Sequence, residues 1–225
     1  LKMIQDQVNS DLLKYLVDQQ ITPGDRLPAL TELNQELGIS VGKLREQLEV
    51  ARYMGVVSVR PRTGTRREPF DLYPAVRSGL MFSLATGETT FEQFSELRQS
   101  LESGMWHTAV SKLTVDDKEF LLQLLDRAWD KLKEHPVHIP RSEHRQLHLT
   151  IFSRLDNPFV LALLRAYWDA YDATERTRFT DYQYWLDVWN YHQRMVEAIC
   201  DGNYECGRQL LVDHFQLLPT VTFPS

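Results

Sequence analysis

Residues 21–64 read ITPGDRLPALTELNQELGISVGKLREQLEVARYMGVVSVRPRTG, and this stretch decides how the chain begins to fold. Pro23-Gly24-Asp25 breaks whatever precedes it. Leu30, Leu33 and Leu37 fall at helical spacing, and Gly38 closes the short helix they define. Ser40 is a natural N-cap for the next helix, whose buried stripe is Leu44, Leu48 and Ala51 and which Gly55 ends. Beyond it lie Val56-Val57-Ser58-Val59, a turn at Pro61-Arg62-Thr63-Gly64 and a second strand from Thr65, which together predict a hairpin with arginine at its tip. Upstream, Ile4, Val8, Leu12, Leu13, Leu16 and Val17 predict an amphipathic helix over residues 3–20. Three helices followed by a basic hairpin make a winged helix-turn-helix over residues 1–68. In that architecture the third helix lies in the major groove with its first residues at base edges.

Charge supports the same reading. The whole chain of 225 residues carries −6, yet residues 40–67 hold seven basic residues (Lys43, Arg45, Arg52, Arg60, Arg62, Arg66, Arg67) against Glu46 and Glu49. Residues 1–39 and everything from Pro69 onward are acidic. A basic block confined to one helix and its hairpin predicts a polyanion partner for that block alone, double-stranded DNA.

Residues 21–64 resemble the DNA-binding domain of the GntR family of bacterial regulators. The shared features are the Pro-Gly-Asp-Arg-Leu-Pro turn at 23–28, Glu32-Leu33, Leu37-Gly38-Ile39-Ser40, Leu44-Arg45-Glu46 with Leu48, Gly55-Val56-Val57 and the wing Gly64. The resemblance implies that Arg45 contacts bases or phosphates and that Gly64 lets the backbone approach the minor groove. The expected DNA-binding set is Thr31, Ser40, Lys43, Arg45, Arg62, Thr63 and Gly64. Val41 and Thr31 stand where many members have arginine, which leaves the operator sequence open.

From Pro69 the chain has almost no strand signal, and residues 69–225 are expected to form a helical bundle. Phe91, Phe94, Leu97, Leu101 and Met105 define one helix, with Thr90 and Gln93 as a capping box. Thr114 and Asp117 open another, which His135-Pro136 ends. Further helices are expected at about 141–155, 158–178, 182–200 and 203–217. Within the first of these stands His144-Arg145-Gln146-Leu147-His148. Histidines four apart share one helix face, as a metal-binding helix requires. A zinc protease has glutamate after the first histidine, and here Arg145, a permanent cation, takes its place.

This second region resembles the helical FCD effector domain of the FadR-type branch of that family. Glu96-Leu97-Arg98 with Leu101-Glu102, His144-x-x-Leu147-His148 followed by Asn157-Pro158, Tyr191-His192 with Glu197-Ala198-Ile199, Asp201-Gly202-Asn203 and Asp213-His214 carry the likeness. Metal-binding members use an aspartate, a histidine four residues on and two later histidines about 22 apart. His148, His192 and His214 match the histidines, and His144 stands at the aspartate position. The resemblance implies a divalent metal on these four residues. Four neutral imidazoles favour zinc, with nickel as the next candidate. It also implies a small carboxylic acid effector clamped by Arg98, whose simplest alternative partner is Glu102 at i,i+4.

Composition fits a soluble protein: 43% hydrophobic and 25% charged residues, with no apolar run long enough to span a bilayer. Cys200 and Cys206 are too few for a disulfide framework and suit a reducing cytoplasm. The expectation is therefore a cytoplasmic, homodimeric bacterial transcription factor with no membrane partner, and not an enzyme. Two alternatives stay open at this point. Three histidines and a free coordination position also describe a catalytic zinc, and a metal-free member could bind an acyl thioester.

Overall fold

The computed structural model describes residue 4, residues 6–174 and residues 181–217. The chain divides into two compact units, residues 1–79 and 80–225.

In the first unit helix α1 spans Asp11–Asp18, shorter than the helix expected over 3–20. Residues 1–3 and 5 lie outside the described residues, but 6–10 are turn and coil. The reason is the capping chemistry. Ser10 Oγ accepts the Leu13 N–H, and the Gln47 side-chain carbonyl accepts both the Leu12 N–H and the Ser10 hydroxyl. Those contacts satisfy the first orphan donors of a helix starting at Asp11. Helix α2 (Leu30–Leu37) opens with the Glu32 carboxylate accepting the Ala29 N–H, and it closes at Gly38 in the left-handed conformation. Helix α3 (Val41–Tyr53) is capped by Ser40, as expected. Strands β1 (Val57–Arg60) and β2 (Gly64–Arg67) pair antiparallel, with Arg60 opposite Gly64, so residues 61–63 form the tip. Leu12, Leu16, Leu27, Leu33, Leu44, Leu48, Ala51 and Val57 close the core from the three helices, β1 and the Pro23–Pro28 turn.

Helix α4 (Tyr73–Thr86) was not legible as an element. Its apolar residues fall on all sides, so no 3.6-residue stripe stands out. Helices α5 (Phe91–Val110) and α6 (Val115–Lys133) begin with the expected Thr90/Gln93 and Thr114/Asp117 boxes. Helix α7 (Arg141–Ile151) stops four residues earlier than expected, and Asn157 and Pro158 start α8 (Pro158–Ala173). Residues 175–178 of the helix expected there lie outside the described residues. Helices α9 (Tyr182–Cys200) and α10 (Tyr204–Phe215) complete the bundle. Its core runs through Trp106, Leu121, Leu124, Leu147, Trp185, Trp189 and Leu211. One close approach fixes α10 against α5: a Cβ at Gly207 would sit 2.7 Å from Trp106 Cζ2, while Trp106 Nε1 donates to the Tyr204 carbonyl at 2.7 Å. Ten helices and one two-stranded sheet among the described residues make the fold mainly α, with a winged helix-turn-helix before the bundle.

Candidate metal centre

The histidines of HRQLH point inward together, because one helical turn separates them and the opposite face of α7 carries the charges. Arg145 lies on that other face. It donates to Asp169 Oδ1 at 2.7 Å and approaches Asp172 at 3.4 Å, so it has no part in the cluster. Helix α9 contributes His192 and α10 contributes His214. All four rings are buried, at 0–3% exposure. One ring nitrogen from each lies within 4.8 Å of those of the others, and His148 Nε2 is 3.2 Å from His192 Nε2. A tetrahedral ion with bonds of about 2.0–2.1 Å holds its nitrogens roughly 3.3 Å apart, so modest inward movement of the rings would seat one.

Burial pushes every one of the four imidazole pKa values well below 6.5. The neighbouring histidines add to the effect at His144, His192 and His214, and Arg98 adds to it at all four. Neutral imidazole is the form that binds metal. Both nitrogens of His144 and Nδ1 of His192 and His214 lack a hydrogen-bond partner. Buried polar atoms are normally paired, so the donor chemistry and its unfilled valence both fit a borderline divalent cation.

Around the cluster stands an aromatic wall. The His144 ring lies 4.7 Å from Trp168, 5.8 Å from Tyr171, 6.1 Å from Trp185 and 6.3 Å from Trp189, centroid to centroid and edge-on in each case. Arg98 is 2% exposed rather than a surface residue. Its Nη2 lies 3.0 Å from His148 Nδ1 and 3.0 Å from Glu102 Oε2, its Nη1 donates to the Tyr167 hydroxyl at 3.2 Å, and its guanidinium stacks on Tyr167, Trp168 and Phe215. Burial works against the Arg98 charge, but Glu102 and Tyr167 together more than offset it and keep the guanidinium protonated. Burial raises the Glu102 pKa, and Arg98 limits the rise. The i,i+4 pair that the spacing offered is present and fully buried. Trp168, Trp185, Trp189 and Tyr167 escaped the sequence reading because core aromatics and site aromatics share one helical pattern.

In the first unit the candidate DNA contacts divide by what holds them. Thr31, Ser40, Lys43, Arg45, Arg62 and Thr63 are exposed. The side chains of Arg45 and Arg62 make no hydrogen bond or ion pair among the described residues, and Arg62 sits at the wing tip with φ +68°. Lys43 pairs with Asp11 at 2.7 Å, with both side chains about half exposed. Gly64 is half-buried beneath Arg26, whose Nε would lie 3.0 Å from a Cβ there, and its φ is +82°. Arg66 and Arg67 bond to backbone carbonyls of Gly24 and Val56 and are spent on holding the hairpin to its base.

Comparison with known proteins completes the picture. Residues 93–217 match the FCD domain, and residues 4–66 match the bacterial regulatory proteins of the gntR family. An Escherichia coli (strain K12) protein named as an L-lactate dehydrogenase operon regulatory protein is 26% identical over 97% of this chain and 86% of its own length. The Bacillus subtilis (strain 168) transcriptional regulator LutR is 30% identical over 51% of this chain and 49% of its own. Among solved structures, a Streptococcus agalactiae GntR protein superposes with a TM-score of 0.65 at 18% identity, covering 92% of this chain and 94% of that one, a likeness of fold. Such relatives are transcriptional regulators, which removes the catalytic-zinc alternative. A winged helix-turn-helix matching gntR regulators, joined to an FCD domain that spans more than half of the chain, makes this protein a transcriptional regulator belonging to the GntR family.

Proposed function

We infer that the helical region, residues 69–225, holds one divalent metal ion on His144, His148, His192 and His214, zinc before nickel. A small carboxylic acid bound at Arg98 beside that ion controls operator binding by the winged helix of residues 1–68. The observation that carries this reading is the buried set of four neutral imidazoles whose nitrogens approach within 4.8 Å, with both nitrogens of His144 unpaired. When bound, the metal supplies a Lewis-acidic position for an anion. Arg98 supplies a permanent cation, and the tryptophan wall keeps water out, which strengthens both attractions. The protein acts as a homodimer on a two-fold operator in the bacterial cytoplasm. Among the described residues no helix is long and apolar enough to cross a membrane.

L-lactate is the first acid to test, because a relative over nearly the whole chain is named for the L-lactate dehydrogenase operon. The deciding measurement is metal content and thermal shift of the wild type and of His192→Ala. The wild type carries close to one zinc per chain and loses melting temperature on chelation, since the ion binds only the folded state. His192→Ala loses the metal. Equal metal-free behaviour in both reduces the four histidines to core packing.

A further inference from the structure

Glu102 is fully buried on α5, one turn after Arg98, and its role so far is only that of counter-ion to that guanidinium. Its Oε2 lies 3.0 Å from Arg98 Nη2 and 3.4 Å from His148 Nδ1, and neither carboxylate oxygen receives an aligned hydrogen bond. A buried carboxylate left in this way is costly unless another state of the site employs it.

His148 has two working edges. Nε2 faces His192 Nε2 at 3.2 Å, close to the roughly 3.3 Å separation of two nitrogens on one tetrahedral zinc. Arg98 Nη2 lies along the ring edge between the two nitrogens, 3.0 Å from Nδ1 and 3.3 Å from Nε2, and donates to Nδ1 at the shorter distance, while Glu102 Oε2 lies 3.4 Å from Nδ1. With Nε2 on a metal ion, Nδ1 must carry the ring proton and can no longer accept from Arg98. The acceptor already beside it is Glu102.

We propose that Glu102 is the outer-sphere anion of the metal centre, a positioning residue that takes the Nδ1–H of His148 and commits that ring to Nε2 coordination. Carboxylate-oriented histidines are better metal ligands because the partner fixes the tautomer and raises the basicity of the other nitrogen. The carboxylate absent from position 144 is thereby replaced one shell further out. The same exchange of partners releases Arg98 Nη2 from His148. This inference rests on the metal reading above, and its test separates the two.

Zinc affinity of the full-length protein is measured by chelator competition at fixed pH for the wild type, Glu102→Gln and the double variant Arg98→Met/Glu102→Gln. Glu102→Gln binds zinc 10–100-fold more weakly, and the double variant stays weakened. Unchanged affinity in Glu102→Gln overturns the proposal. Recovery to wild-type affinity in the double variant also overturns it, because Glu102 would then serve only as the counter-ion of Arg98. Should Glu102→Gln fail to fold, imidazole ¹⁵N shifts of the zinc-loaded wild type decide. Coordination of His148 through Nε2 with a slowly exchanging Nδ1–H supports the role, and coordination through Nδ1 refutes it. A wild type without zinc affinity sinks the metal centre itself and this inference with it, a result distinct from tight wild-type binding that Glu102→Gln leaves unchanged.

Discussion

Acidification of the metal-free protein exposes the four buried imidazoles directly. Their pKa values lie well below 6.5 in the folded chain because burial disfavours the imidazolium. In the unfolded chain they return to about 6.5. The unfolded state therefore binds more protons than the folded one at every pH between the two values, and stability rises with pH across that window. The contribution is complete above the unfolded value and is lost as pH falls below it. Between pH 7.0 and 5.5 each histidine that stays neutral when folded costs about 1.3 kcal/mol of stability, so four cost about 5 kcal/mol. Glu102 works in the opposite direction, because burial raises its pKa and its protonation is favoured in the folded chain. Asp117, held far below the usual carboxylate range by Arg154, does not titrate in this window. A net loss on the order of a few kcal/mol is a large part of the roughly 5–15 kcal/mol that stabilises an ordinary domain. Urea unfolding of the chelator-treated protein at the two pH values measures it, with tryptophan fluorescence as the probe. A change below about 1 kcal/mol would refute the reasoning, since it would mean that the rings are already hydrated or already charged in the folded protein.

Arg45→Ala weakens operator binding by about 1–3 kcal/mol and relaxes specificity at one base position, whereas Arg62→Ala weakens all sequences alike and flattens the salt dependence. Gel-shift titrations at two salt concentrations distinguish the two patterns. Arg98→Met, which keeps most of the stacking volume against Tyr167, Trp168 and Phe215, abolishes the response of DNA binding to a carboxylic acid while leaving acid-free DNA binding intact. An acid response equal to that of the wild type would dismiss Arg98 as the clamp. Gly207→Ala forces Trp106 off its contact, where a Cβ would lie at 2.7 Å, and destabilises the helical unit by about 1–3 kcal/mol in thermal or urea melts.

The parts of the fold that could be read from sequence are those in which local chemistry agrees with the tertiary outcome. Ser40, Thr90 and Thr114 cap where their spacing says they cap, because an N-cap hydrogen bond needs only the next three residues. The start of α1 was misread for the converse reason: apolar spacing continued upstream, but Gln47, 35 residues away from Leu12, terminates the helix at Ser10. Helix α4 was invisible because a helix apolar on all sides has no phase. At the site, the i,i+4 spacing of His144 and His148 announces a shared face, but nothing local tells that α9 and α10 bring two more imidazoles to it. That knowledge came from resemblance. The burial of Glu102, which turns a weak surface pair into a charge inside the site, is a property of the packed bundle alone.

The ligands and their supports are spread across the bundle in a way that bears on how a sensor could work. His144 and His148 come from α7, His192 from α9, His214 from α10, and Arg98 with Glu102 from α5. A ligand that binds the assembled set stabilises by RT ln(1 + [L]/Kd), about 2.7 kcal/mol at one hundred times Kd, and that energy acts on the relative placement of four helices rather than within one. Burial makes the lever stiff. Every donor is at most 3% exposed, so the site cannot admit an acid by turning a surface rotamer. Helices must shift, and close-packed helices shift between discrete arrangements rather than continuously. An acid that reaches Arg98 must also compete with Glu102, Tyr167 and His148 for the guanidinium, so its binding necessarily repacks α5 against α7 and α8. The differential affinity of the acid for the two arrangements, not its total affinity, sets how far it moves the equilibrium.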